Sequence, residues 1–116
     1  MTVKEFYEKH NSDYDGVLGR LMTEARVIKY LNKIDAQGDF ANCVAAIEAQ
    51  DWETAFRSSH SLKGICLNLG LTALFNPASE LCENFRGGSP KEDPAPLLEA
   101  LRMEYEATIA DIALVE

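Results

Sequence analysis

The residues of this sequence best suited to chemistry lie in one run, HSLKGICLNLG, residues 60–70. A solvent-exposed imidazole is largely neutral at cellular pH and nucleophilic at nitrogen, and histidine is an established covalent nucleophile. On a helix, Lys63 stands three residues beyond His60 and can bring its ammonium near anything attached to the ring. Gly64 follows at four residues, where a mid-helix glycine costs about 1 kcal/mol relative to alanine and so calls for a packing or access reason. It removes the side chain that would crowd the imidazole from the next turn. Phosphoryl transfer needs mostly positioning and charge neutralisation. One nucleophile and one cation therefore suffice, provided that a partner supplies the metal and the remaining donors.

The direction in which His60 points follows from the helix itself. Advancing ~100° per residue, Ala55, Ser58, Leu62, Ile65, Cys66 and Leu69 gather on one arc, the expected core face. His60, Lys63, Gly64 and Leu67 gather on the other, with Phe56 at its edge. His60 is therefore predicted to be exposed, beside apolar surface from Phe56 and Leu67 of the kind an interface needs. The bland alternative is a solvated face with an incidental histidine. The lysine, the glycine and the apolar flank at these spacings weigh against it.

Other chemistries find little support. Neither G-x-x-x-x-G-K-[ST] nor G-x-G-x-x-G occurs, so the chain is not expected to take phosphate from ATP unaided: it reads as a phosphocarrier and not as a kinase. No H-E-x-x-H or Glu-x-x-His pair offers metal ligands, and no metal or other cofactor is expected on this chain. His10, the other histidine, reads as a surface or helix-end residue. Cys43, Cys66 and Cys82 are an odd count at wide spacings, read as small buried apolar residues in a reducing compartment. A ligand-binding or metal bundle enzyme would need a core-facing set of histidines or carboxylates, and none is evident.

The elements that must hold His60 are helical almost throughout, with no convincing period-two alternation. Val3, Phe6, Tyr7 and His10 form one face of a short opening helix, and Tyr14, Val17, Leu18 and Leu21 repeat the pattern. Thr23 caps a helix carrying Val27, Ile28, Leu31 and Ile34 that stops before Gly38. Phe40, Cys43, Val44 and Ile47 mark the next, ending near Gln50. Asp51 caps the long helix that bears His60 and runs to Leu69, with Gly70 suited to its C-terminal cap. Leu71, Leu74, Phe75, Ala78, Leu81, Cys82 and Phe85 stripe a further helix, in which Pro77 predicts a kink or a broken first turn. The stretch RGGSPKEDPAP, residues 86–96, is the clearest loop. Leu97, Leu98, Leu101, Tyr105, Thr108, Ile109 and Ile112 lie on a final helix. The expected fold is all-α: one domain over residues 1–116, an up-and-down four-helix bundle with residues 1–22 as a short helical N-terminal extension.

Length and charge set the outer limits. A chain of 116 residues, 47% hydrophobic and 26% charged, buries a sizeable core without disulfides. The net charge of -8 argues against nucleic acid or an anionic membrane as main partner. No apolar run approaches the roughly 18 residues of a membrane span, and the first fifteen residues hold no signal-type segment, which points to the cytoplasm. The start at Met1 without flanking linkers favours a freestanding protein, and a monomer is expected.

The run HSLKGICLNLG resembles the helix motif H-x-L-K-G with a following (N)-L-G that marks the histidine-phosphotransfer (HPt) domain family of two-component phosphorelays. The preceding AQDWETAFRSSH is similar to the approach to that helix, with an acidic cap and an aromatic residue ahead of the histidine. Residues 47–86 carry the likeness, and residues 1–22 add nothing to it. The resemblance implies that His60 accepts the phosphoryl group on Nε2, that Lys63 neutralises its oxygens and that Gly64 gives the partner room. It implies response-regulator receiver domains as partners, with the phospho-aspartate and Mg²⁺ on their side, and it admits a hybrid histidine kinase. Transfer would run reversibly from aspartate to histidine to a second aspartate. Phe56 and Leu67 would lie in the docking surface. Some family members place a Gln or Glu of the next helix against the other ring nitrogen. Here the aligned position is Cys82, a poor acceptor, with Glu83, Ser79 or water as substitutes. The alternative from another class is a helical interaction module that binds or sequesters a receiver or other partner without taking phosphate.

Overall fold

The stretches of helical spacing become seven helices, and a computed structural model describes all residues 1–116. They are α1 (Val3–Lys9), α2 (Tyr14–Leu21), α3 (Glu24–Leu31), α4 (Asp39–Glu48), α5 (Trp52–Asn68), α6 (Thr72–Phe85) and α7 (Pro94–Ile112). No residue is in a strand. The helices form a bundle in which α5 packs against α4 and α6, and α6 packs against α7. Ala55, Leu62, Cys66 and Leu69 of the α5 segment meet Leu74, Ala78, Leu81 and Phe85 from α6 in one core, with Leu101 and Tyr105 from α7. The expected core arc of α5 is buried, except that Ile65 is only half-buried.

Three boundaries differ from the sequence reading, each for a local reason. First, α3 stops at Leu31, well before Gly38. The Asn32 side chain donates to the Ile28 carbonyl at 3.0 Å, and Lys33 and Ile34 bond three residues back, which tightens the chain into turns. Ile34 is still buried, on a turn and not on a helix. Second, α6 runs unbroken through Pro77, so its first turn is not broken. Third, the loop after α6 ends at Asp93, whose carboxylate accepts from the Ala95 N–H at 3.0 Å. Pro94 then takes the first helical position, where its missing N–H costs nothing. Residues 94–96 are thus helical.

The N-terminal helices are bound into the bundle. Tyr7, buried, donates its hydroxyl to the Leu69 carbonyl at 2.6 Å. Arg20 donates to the carbonyls of Asn68 at 3.0 Å and Leu67 at 3.3 Å. Between them they satisfy the last carbonyls of the α5 segment, which a helix end leaves without partners. Gly70 sits at φ +65, the left-handed conformation that closes α5, and the Leu71 N–H returns to the Cys66 carbonyl at 2.9 Å. A Cβ at Gly70 would come within 2.8 Å of the Asp13 carbonyl oxygen, so close approach as well as conformation requires glycine here.

His10 caps α1, as a helix-end residue, but it is not on the surface: its side chain is 8% exposed. Its Nε2 lies 2.7 Å from Asp111 Oδ2, and Lys9 Nζ lies 2.9 Å from the same oxygen. The cluster ties α1 to α7 and holds no metal set of three or more ligand side chains. All three cysteines are buried and free, and burial pushes the Cys43 and Cys66 thiols up to about 12.

Candidate functional site

The site is built on α5. The turn before it closes with Gln50 at φ 57 and with the Asp51 N–H returned to the Ala46 carbonyl at 2.8 Å. Asp51 then caps α5, accepting from the Thr54 N–H at 3.2 Å and the Thr54 hydroxyl at 2.7 Å. Those bonds hold its carboxyl below the usual carboxylate range. From that start the helical register follows, and it leaves His60, Gly64 and Leu67 exposed along one strip. Ser59, next to His60, faces the other way and is fully buried, donating its hydroxyl to the Ala55 carbonyl at 2.8 Å. Ser61 donates to Asp39 of α4 at 2.9 Å, which marks where the exposed strip meets the neighbouring helix.

Around His60 the structure gathers a small set of groups from two helices. The Phe56 ring lies 5.8 Å from the His60 ring. It is half-buried, packed on the core on one side, so it offers a partner only part of its surface. Leu67 is 64% exposed and fully available. Lys63 is half-buried, and its Nζ lies 3.5 Å from Glu83 Oε1 of α6. Gly64 has a conformation any residue could adopt, and beyond its own stretch of helix backbone a Cβ built there meets nothing within 4 Å. Nothing inside the chain calls for this glycine.

Glu83 was legible only as a substitute acceptor for the His60 ring, and Arg86 was not legible as a member of the site. Both carboxylate oxygens of Glu83 accept from the Arg86 guanidinium, each at 2.8 Å. Lys91 Nζ donates to the Glu83 backbone carbonyl at 2.8 Å. The Arg86 hydrogen bond, with Lys63 nearby, pulls the Glu83 carboxyl down to about 2. Arg86, just past the end of α6, lies 5.2 Å from the Phe56 ring centre in cation–π geometry. The three-residue spacing of Glu83 and Arg86 announces their ion pair. Nothing in the sequence announces that Arg86 reaches back over Phe56. Of the groups considered as partners for the His60 ring, Cys82 is fully buried and Glu83 is engaged by cations.

This is a surface site and not a cleft. The largest concavity, about 390 Å³, is lined by Arg20, Leu21, Tyr30, Ile65 and Leu69 among others, and His60 lines none of the three concavities present. Lys63, Gly64 and Arg86 line none of them either, so the group stands on an open helix face, an arrangement suited to another macromolecule more than to a small molecule. No helix is long and apolar enough to cross a membrane.

The family model for the Hpt domain matches residues 33–111, from the turn before α4 into the last turn of α7. No curated protein and no solved structure matches the chain at a significant level.

Proposed function

We propose, from the premise that the chain belongs to the Hpt domain family, that it relays a phosphoryl group between receiver-domain aspartates by way of a phosphohistidine at His60. The observation that carries this reading is the empty space at Gly64. A mid-helix glycine costs about 1 kcal/mol, and no packing or backbone demand within the chain offsets it, whereas a partner approaching His60 needs that space. Lys63 stands on the same helix face to meet phosphoryl oxygens, and Phe56 and Leu67 supply apolar docking surface at its edges.

The chemistry balances with this chain supplying one lone pair. Nε2 of the neutral His60 ring attacks phosphorus of the aspartyl phosphate, forming the N–P bond while the acyl O–P bond breaks. The electron pair of that bond stays on the aspartate carboxylate, and the ring keeps the proton on its other nitrogen. The Mg²⁺ that offsets phosphoryl charge during transfer belongs to the receiver. The reverse step returns the group to a second aspartate. In this reading the chain has no kinase activity of its own and needs no cofactor. It is one domain, with α4–α7 as an up-and-down four-helix bundle, acting as a cytoplasmic monomer that serves receiver domains or a hybrid kinase.

A panel of pre-phosphorylated receiver domains with Mg²⁺ tests the reading, with wild type beside His60→Gln. Acid-labile, base-stable label on the wild type alone is expected. Binding to a receiver with no label from any of them would replace this reading with a sequestering module.

A further inference from the structure

We infer that Glu83 is a stand-in anion: it holds Lys63 and Arg86 beside His60 and yields both cations to the phosphoryl group when His60 is phosphorylated. The inference rests on the phosphocarrier reading and adds to it two residues of α6 and its C-terminal cap. Arg86 becomes a phosphoryl-binding residue, and Glu83 becomes the group that sets how readily His60 gives phosphate up.

Glu83 is bound by Arg86 through both carboxylate oxygens at 2.8 Å and approached by Lys63 at 3.5 Å, while Lys91 fixes its backbone carbonyl. Half-exposed ion pairs of this kind add little to stability, so the fold does not need them. What they do is restrain two long cationic side chains that would otherwise sample many rotamers. The restraint is aimed: Arg86 lies over Phe56, whose ring is the neighbour of the His60 ring, and Lys63 is one turn beyond His60 on the same helix. A carboxylate and a phosphoryl group present the same paired oxygens to a guanidinium fork. The phosphoryl group carries up to about two negative charges against one for the carboxylate. It is therefore the stronger ligand for the same two cations, and Glu83 is displaced and left as a like charge beside it.

Two consequences follow. While His60 is free, Glu83 keeps the cations ordered and in reach. Once His60 is phosphorylated, Glu83 competes for them and repels the phosphoryl group, which raises the tendency of phospho-His60 to pass its phosphate on. Removing the carboxylate should stabilise phospho-His60, and removing Arg86 should destabilise it.

The experiment reads the plateau of phosphate distribution between dilute wild-type protein and the receiver domain that labels it. That plateau is set by the free energies of the phosphorylated and unphosphorylated forms of the two separate proteins, so a docking role would alter the approach rate alone. Glu83→Gln, which keeps an amide oxygen for Arg86, is expected to move the plateau about threefold to tenfold toward phosphohistidine at low salt. Arg86→Ala is expected to move it about as far toward the receiver, Arg86→Lys less far, and all three shifts should shrink near ~1 M salt. Circular dichroism and melting temperature of the three variants should match the wild type. A wild type labelled at His60 whose plateau stays within about twofold in both Glu83→Gln and Arg86→Ala would overturn this inference while leaving the phosphocarrier reading in place. A wild type that takes no label overturns both.

Discussion

The Glu83 carboxylate stands 3.5 Å from the Lys63 ammonium and so joins α6 to the turn of α5 that follows His60. The site is therefore a property of two helices and their packing, not of the α5 motif alone. The core beneath α5 fixes which way His60 faces, and the ion pairs above it fix where Lys63 and Arg86 lie.

The packing can be probed at Leu62, fully buried and on the face of α5 away from His60. Leu62→Ala should cost about 2–5 kcal/mol, through lost burial and the cavity left behind. Urea unfolding measures it. A change below about 1 kcal/mol would mean that Leu62 is not a core anchor of α5.

At Gly64, stability and function should move in opposite directions. Gly64→Leu should raise stability by about 0.5–1 kcal/mol, since leucine improves helix propensity and its Cβ would enter open space. The same change should slow phosphotransfer by at least roughly an order of magnitude, because it displaces the partner from the attack geometry. Melting and transfer kinetics on one preparation give both values. An unchanged transfer rate would refute the access role of this glycine.

The attachment of α1 should be acid-sensitive. Hydrogen bonds from Lys9 and His10 hold the Asp111 carboxyl below its ordinary value of 3.8. A carboxyl depressed in the folded state contributes stability above its unfolded pKa and loses it as pH falls through the folded one. Asp111→Asn should then cost about 1–3 kcal/mol at pH 7 and little below pH ~3, flattening the acid limb of stability against pH. Equal losses at both pH values would show that the ionised pair does not fasten α1 to α7.

Much of this was legible in the sequence because it rests on short-range physics. Seven helices, the caps at Thr23 and Asp51, the exposure of His60 and the burial of Leu62 follow from period, capping chemistry and register. The early end of α3 was not legible, because Asn32 competes for a backbone carbonyl in a way its apolar neighbours conceal. The burial of His10, read correctly as a helix-end residue, was missed for a different reason: its partner Asp111 is 101 residues away. Arg86 escaped notice in a stretch that reads as loop, although its i,i+3 pairing with Glu83 was present in the spacing. Contacts made across the fold, such as His10 with Asp111 and Arg86 over Phe56, carry no periodic signal.

The central claim is that His60 passes phosphate onward and does not merely acquire it. The most direct measurement isolates the phosphorylated protein from its donor and mixes it with an unphosphorylated second receiver and Mg²⁺. Label should leave His60 and appear in equal amount on the receiver aspartate, with none transferred from a His60→Gln preparation carried through the same steps. Loss of label from His60 only as inorganic phosphate, with every receiver left bare, would contradict the relay.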